Sequence, residues 1–196
     1  MSARCGWVLP GDALYEAYHD AEWGVPCADD RALFELLMLE GFQAGLAWIT
    51  VLRKREAFRA AFDRFDPARI ASYGEADIER LLANPGIVRS RAKIEAVIAG
   101  ARIFSEMAAR GERFSHLIWG FVDGRPVQNA WRSFRDGPTS TLASAALSKE
   151  LKHRGFKFCG PVICYACMQA AGLVNDHETA CPRHDPVRAL GEAFAL

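Results

Sequence analysis

Apolar residues recur at intervals of three and four along almost the whole chain, and no stretch sustains the apolar–polar alternation of paired strands. This pattern restricts the fold to an all-α architecture. Asp12 can cap a short helix carrying Leu14, Tyr15 and Tyr18. Asp29 or Asp30 can cap RALFELLMLEGFQAGLAW, which is apolar around much of its circumference and is therefore expected at the centre. Thr50 can begin a single helix over VLRKREAFRAAFDRF, and Asp66-Pro67 reads as cap and first helical residue. EADIERLLA and RSRAKIEAVIAGARIFSEMAA follow, separated by NPGIVR. After FSHLIWGF comes a turn-rich stretch from Val122 to Pro138. The last two helices are ASAALSKELKHRG, with Gly155 as C-cap, and PVICYACMQAAGL. There is no internal repeat. One compact domain is expected over 1–181, as one core or two helical lobes, with 182–196 as a weakly helical surface extension.

Composition narrows the function classes. With 51% hydrophobic residues the 196-residue chain can bury a real core, so it is not a disordered binder. The apolar runs are interrupted well short of membrane length and the N-terminus lacks a secretory pattern. A soluble cytoplasmic protein with no membrane partner is expected. Lys+Arg and Asp+Glu both number 24, so no overall basic charge points to nucleic acid. Local clusters are basic all the same: Arg53–Arg55; Arg89, Arg91 and Lys93; and Lys152, His153, Arg154 and Lys157. Each can also be read as a solvated helix end.

Six cysteines without an export signal suggest thiols or metal ligands rather than disulfides. In NDHETAC, His177 and Cys181 stand four apart, on one face if the segment is helical. Two ligands hold a metal weakly, so partners are needed. Cys164-x-x-Cys167 lies in an apolar helical run and fits core packing better. His184, between two prolines, fits a tail. Cys5 and His19 are better candidates: a Cys2His2 set drawn from both ends would pin the termini around a structural zinc. The open alternative for Cys5 is a plain thiol.

Six segments together resemble one family: CGWV (5–8), LYEAYHDAEWGVP (14–26), LEGFQAGLAWITVLRKRE (39–56), GIVRSRAKIEAVI (86–98), PTSTLASAALSKELKHRGFKF (138–158) and ICYACMQAAGLVNDH (163–177). They resemble the 3-methyladenine-DNA glycosylase I family of bacterial base-excision repair, from Cys5 to Cys181 and in the family's order. The resemblance implies a variant of the helix–hairpin–helix glycosylase fold. It also implies one structural Zn2+ on Cys5, His19, His177 and Cys181. The implied partner is double-stranded DNA containing alkylated bases, the implied product is free 3-methyladenine, and the expected species is a monomer.

Methylation at N3 leaves the base cationic, so its glycosidic bond is already weak. The enzyme must flip the base out and hold it where water can attack C1′. By resemblance, Tyr18 and Trp48 match the family's stacking positions, with Tyr15 and Trp23 nearby and Trp7 in the wall. Aromatic faces favour a cationic base by about 0.5–2 kcal/mol per contact. Core packing is the competing account of each ring. Glu40 lies in the apolar run LLMLEGF, where an unpaired charge is costly. The resemblance makes it the base-recognition carboxylate, accepting from the exocyclic amine of adenine.

The aspartate that many helix–hairpin–helix glycosylases place after the hairpin is missing from this chain, and Asp123 is a poor substitute. DNA contact is expected from the Pro85-Gly86 turn and the following helix start, helped by Arg89, Arg91 or Lys93. Val88 replaces the hairpin's usual second glycine. Leu46, beyond GFQAG, is the candidate wedge into the gap left by the flipped nucleotide. Two other functions compete. A damage-binding module without catalysis would need no aromatic cluster around an acid. A zinc hydrolase would need a metal position open to water.

Overall fold

The computed structural model describes residues 4–196, and among them the chain is helical throughout except for turns and one minimal strand pair. The helices are α1 (Ala13–Ala21), α2 (Asp30–Gln43), α3 (Trp48–Leu52), α4 (Arg55–Ala61), α5 (Pro67–Ala71) and α6 (Glu75–Ala83), then α7 (Arg91–Ala109), α8 (Phe114–Trp119), α9 (Leu142–Arg154), α10 (Pro161–Ala170) and α11 (His184–Ala193). Strands β1 (Val127–Gln128) and β2 (Val174–Asn175) pair in parallel. Two residues per strand are too few to leave a period in the sequence, and they join segments far apart in it. Among the described residues no helix is long and apolar enough to cross a membrane.

Helix α2 is the central element. Asp29 caps it by accepting from the Ala32 amide at 2.7 Å, and Leu33, Phe34, Leu37, Met38, Leu39, Glu40, Gly41 and Phe42 are all buried along it. Helices α3, α7, α8 and α10 pack around it, which is why its sequence lacks a polar face. A second, smaller cluster gathers Cys5, Tyr18, Trp23, Leu52 and Cys181, with Trp48 packed against both.

The two clusters explain where the segment after Thr50 departs from expectation. It forms two helices, α3 and α4, parted at Arg53–Lys54. Leu52 packs in the small cluster, whereas Phe58, Phe62 and Phe65 pack in the main core. One straight helix could not present its apolar residues to both. Beyond Cys181 the chain forms α11, whose Val187 is buried, and Phe194 stacks on Trp119 with centroids 4.2 Å apart.

Candidate functional site

The Asp12 carboxylate accepts from the Tyr15 amide and starts α1. Tyr15 and Tyr18, three residues apart, then share one face of that helix. Trp7 and Trp23 approach from either side of α1, Trp48 opens α3, and Glu40 comes from the third turn of α2. Together they line a cavity of about 240 Å³. Trp7 packs edge-on against Tyr15 and against Trp23, each with centroids 5.0 Å apart, and Tyr18 tilts against Trp48 at 5.7 Å. All six sequence-predicted pocket residues, from five separate segments, thus meet around one space.

Glu40 is 2% exposed, and its Oε2 has no hydrogen-bond partner. Burial pushes its carboxyl up to about 8. Its charge adds to burial in raising the Tyr15 and Tyr18 phenols. Three more cavity-lining groups have buried polar atoms without partners: Trp7 Nε1, Gln43 Oε1 and Trp48 Nε1. Native interiors rarely leave such atoms orphaned. Four such atoms belong to residues that line this one cavity.

Sequence reasoning missed part of the wall: Gln43, Trp131, Phe134, Gln169 and Asp176 also line the cavity. Gln43 was findable, because it follows Glu40 by three on the same helix and so shares its face. Trp131 and Phe134 belong to the irregular stretch between β1 and α9, where periodicity carries no signal.

On the far side of Trp7 and Trp23 lies a second buried cluster. One ligand atom each from Cys5, His19, His177 and Cys181 falls within 4.8 Å of the others, and all four residues are buried. NDHETAC runs from the end of β2 into a turn rather than a helix, with the Cys181 amide bonded to the Glu178 carbonyl. The turn forms because Glu178 and Thr179 bond outward, to Gly6, Phe134 and Trp131.

The geometry fits a tetrahedral zinc. Bonds of about 2.3 Å to sulfur and about 2.1 Å to nitrogen place sulfur and nitrogen about 3.6 Å apart. Cys5 Sγ lies 3.5 Å from His177 Nδ1, and Cys181 Sγ lies 3.5 Å from His19 Nε2 and 3.6 Å from His177 Nδ1. The outward atoms are held as metal ligands usually are. His19 Nδ1 meets Asp20 at 2.7 Å, His177 Nε2 meets the Trp23 carbonyl at 3.1 Å, and the Glu178 and Arg183 amides donate to the two sulfurs. Asp20 is itself gripped by Arg4, which holds its carboxyl down at about 2. Pairing between the two sulfurs lowers the Cys181 thiol and raises that of Cys5. Gly24, at φ +83°, passes so close that an added Cβ would sit 3.2 Å from His177 Nε2. Among the described residues this is the one cluster of its kind. Cys164 and Cys167 lie in the core on α10.

The residues expected at a phosphate backbone sit around the α6–α7 turn. The Gly86 amide donates to Asn84 Oδ1 at 2.8 Å, and the Pro85 carbonyl accepts from Lys54. Arg89 is exposed beside it. Arg91 pairs with Glu75 at 2.8 Å, and also with Glu79 and Glu95. Lys93 donates to the Phe42 and Ala44 carbonyls at 2.9 and 2.7 Å, where α2 ends. Leu46, 41% exposed, stands in the turn that follows.

Comparison with known proteins bears on this arrangement as a whole. Residues 7–184 match the methyladenine glycosylase family model. The chain is 54% identical to DNA-3-methyladenine glycosylase 1 of Escherichia coli K12, over 91% of this chain and 95% of that one. A crystal structure of a 3-methyladenine DNA glycosylase I superposes with a TM-score of 0.91 at 58% identity, covering 93% of this chain and all (100%) of the other. A Staphylococcus aureus 3-methyladenine DNA glycosylase I, solved to show the structural basis of 3-methyladenine recognition, superposes at 0.85 with 40% identity, over 89% of this chain and 93% of that one. With the family model matching most of the chain, and relatives more than half identical over nine-tenths of it, the chain belongs to the methyladenine glycosylase family.

Proposed function

We propose that the protein is a monofunctional DNA glycosylase that hydrolyses N3-methyladenine from alkylated double-stranded DNA, as the opening step of base-excision repair. The observation that carries this reading is the unpartnered Glu40 carboxylate, buried inside an aromatic cavity of about 240 Å³.

With its carboxyl pushed up to about 8, Glu40 is mostly neutral near pH 7 while the cavity holds no cation. A flipped, N3-methylated adenine brings a positive charge, and an opposite charge lowers a carboxyl pKa. Glu40 then ionises and accepts from the exocyclic amine, and its proton leaves to solvent. Undamaged adenine is neutral and gives no such compensation. Tyr15, Tyr18, Trp23 and Trp48 offer π faces to the cation. The bond from C1′ to the base breaks with its electron pair going to the base, which departs neutral. Water adds to C1′ and releases a proton.

Cys5, His19, His177 and Cys181 would hold one zinc ion that clamps the two chain ends. With four protein ligands the ion supplies stability and no reactive water. The α6–α7 turn is the hairpin in this reading, with Gly86 and Arg89 toward the phosphates and Leu46 as the wedge. Arg91 and Lys93 act behind them: the first is neutralised by Glu75, Glu79 and Glu95, and the second braces the end of α2.

The test is incubation of purified protein with methylated duplex DNA, followed by chromatography of released bases with mass detection. Free 3-methyladenine without strand cleavage is the expected result. Tight binding with no base released would replace the enzyme with a damage-binding module.

A further inference from the structure

The cavity wall carries a second acid, which takes no part in the proposed reaction. Asp176 is 4% exposed and lines the same cavity as Glu40. Its Oδ1 accepts from Asn129 Nδ2 at 2.6 Å and from Trp131 Nε1 at 2.9 Å. Its Oδ2 accepts from the Tyr165 hydroxyl and from Gln169 Nε2, both at 2.7 Å. The amide and indole nitrogens can only donate, so both oxygens act as acceptors, as those of a carboxylate do. All four partners are neutral. A buried anion without a cation is costly to keep, and the space adjoining this one is a cavity rather than packed side chain.

Glu40 and Asp176 therefore differ in kind. Glu40 has an oxygen without any donor; Asp176 has all its donors and no counter-charge. We propose that Asp176 strengthens the cavity's preference for a cationic base beyond what Glu40 supplies, as a fixed negative charge that has no cation among its own partners. This inference rests on the glycosylase function proposed for the same cavity. It assigns Asp176 no contact with the reacting atoms; its four bonds keep the charge in place and the guest feels its field.

A purely structural role makes a different prediction, because Asp176 also ties Asn129 and Trp131 to α10. The experiment compares two probes at one fixed pH: 3,9-dimethyladeninium, a permanent cation, and free 3-methyladenine, a neutral base. Affinities are read from quenching of tryptophan fluorescence. Asp176→Asn is expected to weaken cation binding about tenfold more than neutral binding. Trp131→Phe removes one donor but keeps the charge, and should weaken both probes by a similar factor. Gln169→Lys leaves Asp176 in place but sets an ammonium beside it, and should reduce the cation preference about as much as Asp176→Asn does. That variant keeps the question answerable if Asp176→Asn does not fold. Equal losses for both probes in Asp176→Asn, or an intact preference in Gln169→Lys, would overturn the proposal and leave Asp176 as a fastener of the wall. Failure of the wild-type protein to release 3-methyladenine from methylated DNA would instead sink the glycosylase reading.

Discussion

Two buried polar sites lie back to back in this protein, separated by aromatic rings. Trp7 packs on His19 and Trp23 packs on His177, and both tryptophans also line the cavity. On one side, every outward atom of the Cys2His2 cluster has a partner: Asp20, the Trp23 carbonyl and two backbone amides. On the other, Glu40, Gln43, Trp7 and Trp48 each leave a polar atom unmatched. Both sites are buried, so burial alone does not separate structure from function. Satisfaction does: the outward atoms of the cluster are all bonded within the protein, while residues lining the cavity keep four polar atoms unmatched.

The contrast breaks first at the metal. Chelation, or Cys181→Ser, should lower stability on the order of 5 kcal/mol and drop the melting temperature by about 10 °C or more. Affinity for 3-methyladenine in the protein that stays folded should change less than about threefold. An unchanged melting curve under strong chelator would remove the metal assignment.

The cavity should answer the other way, gaining stability when its unmatched group is removed. The folded-state pKa of Glu40 is raised from 4.5 to about 8, so the folded protein keeps a proton that the unfolded chain has lost. Stability therefore falls as pH rises between those values. Glu40→Gln abolishes that slope. Relative to wild type it should gain up to about 4 kcal/mol between pH 5 and pH 9, read by denaturant unfolding at both. A constant difference across that range would mean that Glu40 is not neutral when folded.

The same substitution should slow release of 3-methyladenine roughly a hundredfold, since it removes the charge that a cationic guest needs. Unchanged rate and unchanged affinity would take Glu40 out of the site. Leu46→Gly should reduce release from duplex DNA about tenfold and leave binding of the free base alone, because a wedge acts on the stack and not on the cavity. Equal activity on duplex before and after would exclude the wedge. The smallest effect is expected at Arg91→Ala, under about twofold in DNA affinity, because its charge is already matched by three glutamates. Arg89→Ala should reduce the salt dependence of DNA binding by about one ion. A steeper loss at Arg91 than at Arg89 would exchange the roles of the two arginines.

Particular elements show what was legible. Helix α2 could be placed at the centre because eight of its residues are buried and its sequence accordingly lacks a polar side. The break between α3 and α4 could not, since each half is apolar and only the existence of two separate cores parts them. His177 and Cys181 stood out by spacing, but the segment is a turn, shaped by bonds from Glu178 and Thr179 to residues far away in sequence. Trp131 and Asp176 reach the cavity from β1 and β2 segments whose pairing is only two residues long, too short to register as a pattern.

By itself the sequence determined the helical class, through a periodicity that local backbone geometry obeys, and it determined which residue types are available: two cysteines and two histidines at the ends, an acid in an apolar run, rings around it. Tertiary structure decided how those groups are used. It left Glu40 without a donor and gave Asp176 four. It turned Lys93 inward onto the end of α2 and matched Arg91 with acids from two helices. Hydrogen-bond satisfaction and desolvation depend on every neighbour within a few ångströms, and in this chain those neighbours come from segments up to 173 residues apart.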